Sequence, residues 1–213
     1  MKKHFLKVVI VGAAPLRGAQ ARKKLKASLR DKQALKIAVD GGLELCLELG
    51  VEPSLYVGDL DSVKRVPENL PAVFLPKDKS YSDLKAALEV CQELGADEVE
   101  AWAVTGGRPD HHWASVGELS ESSAQFSSLH AEGEDGSYHW VKARTPLTLK
   151  VKRGSTVSLF NLDSARGIQT QGLQYNLKNE TLRSGSHGLS NQARSADVRV
   201  SVKRGSLLVV LPA

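Results

Sequence analysis

The sequence predicts an α/β domain built on a mostly parallel sheet with flanking helices, followed by a smaller C-terminal all-β domain. Short β-rich apolar runs alternate with helix-period segments over residues 1–140, the rhythm of βαβ units. Over residues 141–213 that rhythm gives way to short strands separated by turns rich in Gly, Asn and Ser. With 213 residues and 41% hydrophobic content, the chain is long enough for one full core or two modest ones.

The first strand is expected over residues 8–11, ahead of Gly12. Residues 19–30 place Ala21, Leu25 and Leu29 at helical spacing. A strand over 37–39 ends at Asp40, and a helix over 43–49 is closed by Gly50, with Pro53 beyond. Strands follow over 55–57 and over 73–75, the latter ended by Pro76. Ser82 can cap a helix over 83–94, where Leu84, Ala87, Leu88 and Cys91 recur at three- and four-residue spacing before Gly95, which tolerates a left-handed C-terminal cap. A strand over 99–104 feeds Gly106-Gly107, a helix is expected from about His112, and 127–131 can add one more strand. In the second domain, strands are expected over 147–151, 156–160, 198–202 and 207–211, with Arg153-Gly154 and Arg204-Gly205 as tight turns.

The net charge of +5 is uneven: residues 1–36 hold 11 Lys and Arg against Asp31 alone, and residues 37–213 hold 18 against 23 acidic residues. The lysines of 19–30 fit a solvated helix face, so no nucleic-acid partner is expected. No run approaches the roughly 18 apolar residues of a membrane helix, and residues 1–5 lead into no cleavage pattern, so a cytoplasmic protein without a membrane partner is expected. Cys46 and Cys91 fall on apolar helix faces and are expected to be buried, reduced thiols.

In open parallel sheets, ligands bind beyond the carboxyl ends of the strands, where Asp40, Asp59, Asp61 and the 106–111 loop all fall. Any one of these is an ordinary turn residue; three loops together point to one site. Asp59 and Asp61 suit a hard cation such as Mg²⁺, which binds through one or two carboxylates plus substrate phosphates. Asp83 at a helix start could join them, and such a cluster is costly without a cation because like charges repel. Gly106-Gly107 allows close backbone approach to a phosphate, and Arg108 supplies a guanidinium fork. No P-loop motif is present, and Gly12-Ala13-Ala14-Pro15 is too generic to count. His111 and His112 lack partners at zinc spacing and fit better as orienters of the loop by a side-chain hydrogen bond.

In order, Asp40-Gly41-Gly42, Gly58-Asp59-Leu60-Asp61-Ser62, Lys77-Asp78-Lys79 with Asp83, and Gly106-Gly107-Arg108-Pro109-Asp110-His111 resemble the motifs of the thiamine pyrophosphokinase family. Gly172-Leu173-Gln174-Tyr175-Asn176-Leu177, Asn179-Glu180-Thr181-Leu182 and Ser186 with Ser190-Asn191 are similar to that family's vitamin-binding half. The resemblance implies a Rossmann-like nucleotide-binding catalytic domain over 1–140 and a thiamine-binding β-sandwich over 141–213. It implies a homodimer whose active sites are shared between subunits, and Mg²⁺-dependent transfer of a pyrophosphoryl group from ATP to the thiamine hydroxyl, giving thiamine diphosphate and AMP. Asp59, Asp61 and Asp83 would hold the metal, and Arg108 would stabilise the phosphate chain. Asp110 and Asp40 would order the site or accept a substrate hydrogen bond; no general base is assigned. Gly41, Gly106, Gly107 and His111 would stand with Asp40 on the nucleotide side, and Tyr175, Ser190 and Asn191 on the thiamine side. Tyr175 could equally be a core residue of the sandwich.

Where relatives commonly read Thr-Asp-Thr and Thr-Leu-Ala-Asn, this chain has Ser80-Tyr81-Ser82 and His112-Trp113-Ala114-Ser115, so that Tyr81 replaces an acidic residue and Trp113 and Ser115 replace Leu and Asn. They leave room for a diphosphokinase acting on another hydroxymethyl heterocycle, such as a pterin. A non-catalytic nucleotide or vitamin sensor is the remaining alternative.

Overall fold

The computed structural model describes residues 6–63, 65–162 and 165–213. Residues 1–5, which entered the reading of the N-terminus, lie outside them. The chain divides into two compact units, residues 1–135 and 136–213.

The first unit runs β1 (Lys7–Val11), α1 (Ala19–Leu29), β2 (Ala34–Val39), α2 (Gly42–Glu48), β3 (Leu55–Gly58), β4 (Ala72–Phe74), α3 (Asp83–Glu93), β5 (Glu98–Trp102), α4 (Pro109–Ser122) and β6 (Ser128–Gly133). Its strands lie in the order β6-β5-β1-β2-β3-β4, and every pairing among them is parallel. β1 is central, and Val8, Val9, Ile10 and Val11 are fully buried, as a strand covered on both faces requires. Each helix contributes one apolar stripe: Leu25 and Leu29 from α1, Leu43 and Cys46 from α2, and Leu84, Ala87, Leu88 and Cys91 from α3. Ser82 caps α3, its Oγ accepting the Lys85 N–H at 3.1 Å. Gly50 and Gly95 close α2 and α3 at φ +70° and +73°.

The second unit contains β7 (Gly136–Lys142), β8 (Leu147–Lys150), β9 (Thr156–Phe160), β10 (Ile168–Gln171), β11 (Lys178–Glu180), β12 (Asn191–Gln192), β13 (Asp197–Ser201) and β14 (Ser206–Pro212). Two antiparallel arrays, β12-β9-β14-β7 and β11-β10-β13-β8, share one core through Val157, Leu159, Leu207 and Val209 on one side and Leu149, Ile168, Val198 and Val200 on the other. Taken over the chain, strand pairing is therefore mixed. An α/β unit with a large sheet precedes a smaller β unit; among the described strands, parallel pairing is confined to the first, and the second holds one isolated parallel bridge, Ala143 to Val202.

Two sequence expectations shift. α4 begins at Pro109, not near His112, because Pro109 pre-sets the first helical φ while Arg108 remains extended. β7 was not foreseen; buried at five of its seven positions, it shows no alternation to read.

Candidate active site

The loops after β2 and β3 are neighbours because Val39 pairs with Val57, which sets Asp40 beside Gly58 and Asp59. The Asp40 N–H donates to the Val57 carbonyl at 2.9 Å, and its backbone then turns left-handed, at φ +48°. Gly58 leaves space that a side chain would fill: a Cβ there would stand 2.5 Å from the Tyr56 hydroxyl and 3.2 Å from Asp40 Cα. The Tyr56 phenol is pushed up to about 12, first by burial and then by the negative charge of Asp40.

α3 delivers Asp83 at its first position. Asp40, Asp59 and Asp83 converge, one carboxylate oxygen of each lying within 4.8 Å of the others. Lys79 sits against two of them. Its Nζ is 2.7 Å from Asp59 Oδ2 and 3.0 Å from Asp83 Oδ1, the latter an ion contact without hydrogen-bonding alignment, and it also donates to the Pro76 carbonyl at 3.3 Å. The side chains of Lys79, Asp59 and Asp83 are 7%, 8% and 17% exposed, so these charges meet with little water between them.

The environment separates the two carboxylates that Lys79 touches. The Lys79 hydrogen bond holds Asp59 below its ordinary range against the opposing effect of burial. Burial raises Asp83, and Lys79 offsets only part of it. Burial also works against the Lys79 charge, but its contacts with Asp59 and Asp83 prevail and hold the ammonium above its ordinary range. Asp40 Oδ1 is buried with no hydrogen-bond partner among the described residues.

Asp61 stands apart from the trio. It is exposed, accepting from Ser62 Oγ at 2.7 Å, while its N–H donates to Asp59 Oδ1 at 3.2 Å. Arg108 is also exposed, and its guanidinium is engaged by Asp110 through contacts of 2.6 and 3.2 Å. That pairing holds the Asp110 carboxyl down at about 2.

The glycine loop is left-handed at Gly106 (φ +84°) and Gly107 (φ +71°), and a Cβ on Gly107 would stand 3.0 Å from Pro15 Cδ. The Gly106 N–H donates to His112 Nδ1 at 3.0 Å, and Asp135 Oδ2 lies 3.4 Å from that nitrogen. The loop is thus pinned by a histidine side chain, but by His112; His111 is exposed. Gly41 lies against Ala13, to which a Cβ there would approach within 3.0 Å.

In the second unit, Asn191 Oδ1 accepts the Tyr175 N–H at 3.2 Å and its Nδ2 donates to the Tyr175 carbonyl at 2.7 Å. Tyr175 is 70% exposed, which removes its core alternative. Ser190, at φ +58°, anchors through its N–H to Ser158 Oγ at 3.1 Å. A cavity of about 510 Å³ in the same unit, lined by Gln169, Gln171, Asn176 and Lys178 among others, includes none of these three.

Sequence reasoning assigned no task to Lys79 and left Asp40 outside the cation set. The four-residue spacing of Lys79 and Asp83 was the available signal for the first. For Asp40, only the β2–β3 register carries the information.

Residues 26–130 match the family model described as thiamin pyrophosphokinase, catalytic domain, and residues 145–207 the one described as thiamin pyrophosphokinase, vitamin B1 binding domain. Thiamine pyrophosphokinase of Bacillus subtilis (strain 168) is 32% identical over 92 residues, covering 40% of this chain and 43% of that protein, so the match spans less than half of the relative's length. Among solved structures, thiamine pyrophosphokinase from Bacillus subtilis superposes with a TM-score of 0.82 at 21% identity, covering 97% of this chain and 99% of that one. Thiamin pyrophosphokinase from Geobacillus thermodenitrificans gives 0.77 at 21% identity with 98% of both chains covered, and that from Candida albicans 0.74 at 14% with 98% and 90% covered. At these identities the structural likeness is one of fold. The two family models span most of the sequence in the order catalytic half, then vitamin-binding half, and the chain belongs to the thiamin pyrophosphokinase family.

Proposed function

We propose that this protein is a thiamine diphosphokinase, transferring a pyrophosphoryl group from ATP to the hydroxyl of thiamine and releasing AMP. The observation that carries the reading is the convergence of Asp40, Asp59 and Asp83 within 4.8 Å at the strand ends of a domain matching the family's catalytic model. The donor set fits Mg²⁺: three hard carboxylates, with a buried Asp40 oxygen that has no hydrogen-bond partner among the described residues. A divalent ion bound there would neutralise charge on the phosphate oxygens. Asp61, exposed beside Asp59, is proposed to reach the same ion from the solvent side.

The chain's own residues would supply positioning and electrostatics, the main needs of phosphoryl transfer. The left-handed glycines 106 and 107, held by His112, bring backbone close to the phosphate chain. Arg108, on the surface and restrained by Asp110, can swing its fork to the same oxygens. Tyr175, with its backbone clamped by Asn191 and its ring exposed, is proposed to offer an aromatic face to the thiazolium, with Ser190 beside it. The working form is proposed to be a cytoplasmic homodimer, in keeping with the buried thiols Cys46 and Cys91; a monomer mass in sedimentation would refute the dimer.

The test is AMP formation from ATP and Mg²⁺, with and without thiamine. Thiamine-dependent AMP release is expected, falling by about 10²-fold or more in Asp59→Asn, which removes ligand charge at constant volume. AMP release that needs a pterin and ignores thiamine would defeat the acceptor assignment; full activity in Asp59→Asn would defeat the metal assignment.

A further inference from the structure

We propose that Lys79 is a positioning residue that acts as the chain's internal counter-cation for the Asp40/Asp59/Asp83 trio and exchanges with a divalent cation when one binds. The proposal rests on reading the trio as the cation site. Three carboxylates within 4.8 Å of one another cannot all stay ionised without a compensating charge. The ammonium 2.7 Å from Asp59 and 3.0 Å from Asp83 provides it, reducing a local charge of minus three to minus two, the charge one divalent ion neutralises.

The contacts put Lys79 in competition with a bound cation. Both Asp59 oxygens are already engaged, Oδ2 by Lys79 and Oδ1 by the Asp61 N–H. A magnesium ion needs ligand oxygens at about 2.0–2.1 Å, and an ammonium at contact distance from the same carboxylates would repel it. On this proposal Lys79 yields at least one carboxylate as the ion binds, and its donation to the Pro76 carbonyl gives it a place to remain. The exchange lowers the trio's affinity for free cation and keeps the carboxylates in place beforehand.

The measurement is Mn²⁺ binding to nucleotide-free protein by electron paramagnetic resonance, alongside thermal unfolding with and without saturating Mg²⁺. In Lys79→Met, Mn²⁺ is expected to bind on the order of tenfold tighter, because a competing positive charge is gone. The variant should unfold at lower temperature than wild type without cation and recover with Mg²⁺, a rescue that a merely structural ion pair would not give. Unchanged or weaker Mn²⁺ binding by the variant, with wild type binding normally, overturns the role of Lys79 alone. No Mn²⁺ binding by either protein overturns the cation site and this proposal with it. Should the variant not fold, amine acetylation of wild-type Lys79, read by peptide mass spectrometry, decides: protection without cation and several-fold faster labelling with Mn²⁺ is expected, and equal labelling overturns the exchange.

Discussion

Replacing Gly42 by alanine tests whether the Asp-Gly-Gly segment is set by backbone packing. Gly42 opens α2, where helix propensity by itself favours alanine by up to about 1 kcal/mol. A Cβ there would stand 1.9 Å from the Val11 carbonyl oxygen, 2.6 Å from Val11 C and 2.9 Å from the Gly12 oxygen. Carbon–oxygen contacts settle near about 3.3 Å, so the start of α2 or the end of β1 must retreat by about 1.4 Å. β1 cannot give way easily, since it is hydrogen-bonded to β2 on one side and β5 on the other. The upper end of overpacking, about 3 kcal/mol, less the propensity gain, leaves a loss of about 2 kcal/mol and a transition lowered by about 4–8 °C. Thermal and urea unfolding by circular dichroism would measure it, with Gly117→Ala as control. Gly117 lies inside α4 facing open space, and alanine there should stabilise by about 0.5–1 kcal/mol. A Gly42→Ala protein as stable as wild type would refute the packing argument.

Ser82→Ala removes the α3 cap and the partner of Glu118 Oε2, which Ser82 Oγ meets at 2.6 Å; a loss of about 1–2 kcal/mol in urea unfolding is expected. Glu100, buried on β5, accepts from Ser28 Oγ and Trp102 Nε1, both at 2.6 Å, and pairs with Lys7 at 3.2 Å. Burial favours its neutral form, but those donors prevail and hold its pKa below the ordinary value of 4.5. Its contribution is therefore complete above that unfolded-state value and is lost as pH falls through the lower folded-state value. Glu100→Gln should cost about 2 kcal/mol near neutral pH, with the gap to wild type closing as pH falls below the ordinary glutamate value; a gap that does not vary with pH would contradict the assignment.

The strands and helices of the first unit were legible because their cores are written in local periodicity: four buried residues in β1, and a three- and four-residue apolar stripe in α3 bounded by Ser82 and Gly95. β10, β11 and β12 were not, since strands of two to four residues with exposed positions exist only through their partners. At the candidate site, Asp59 and Asp83 could be singled out from the acidic residues that follow a strand or open a helix. Their grouping was expected as well, but the third member was not Asp61: it is nearer to Asp59 in sequence than Asp40 is, yet faces solvent, and Asp40 takes that place.

From the residues alone follow the alternation of elements, the change of architecture after the first domain, and the motif order that marks the family. All of these depend on short-range spacing, which a chain carries before it folds. Tertiary structure alone decided that Asp40 joins Asp59 and Asp83, that Lys79 lies between two of them, and that His112, not His111, secures the glycine loop. Those juxtapositions depend on strand register and helix placement, where a shift of one residue turns a side chain to the opposite face.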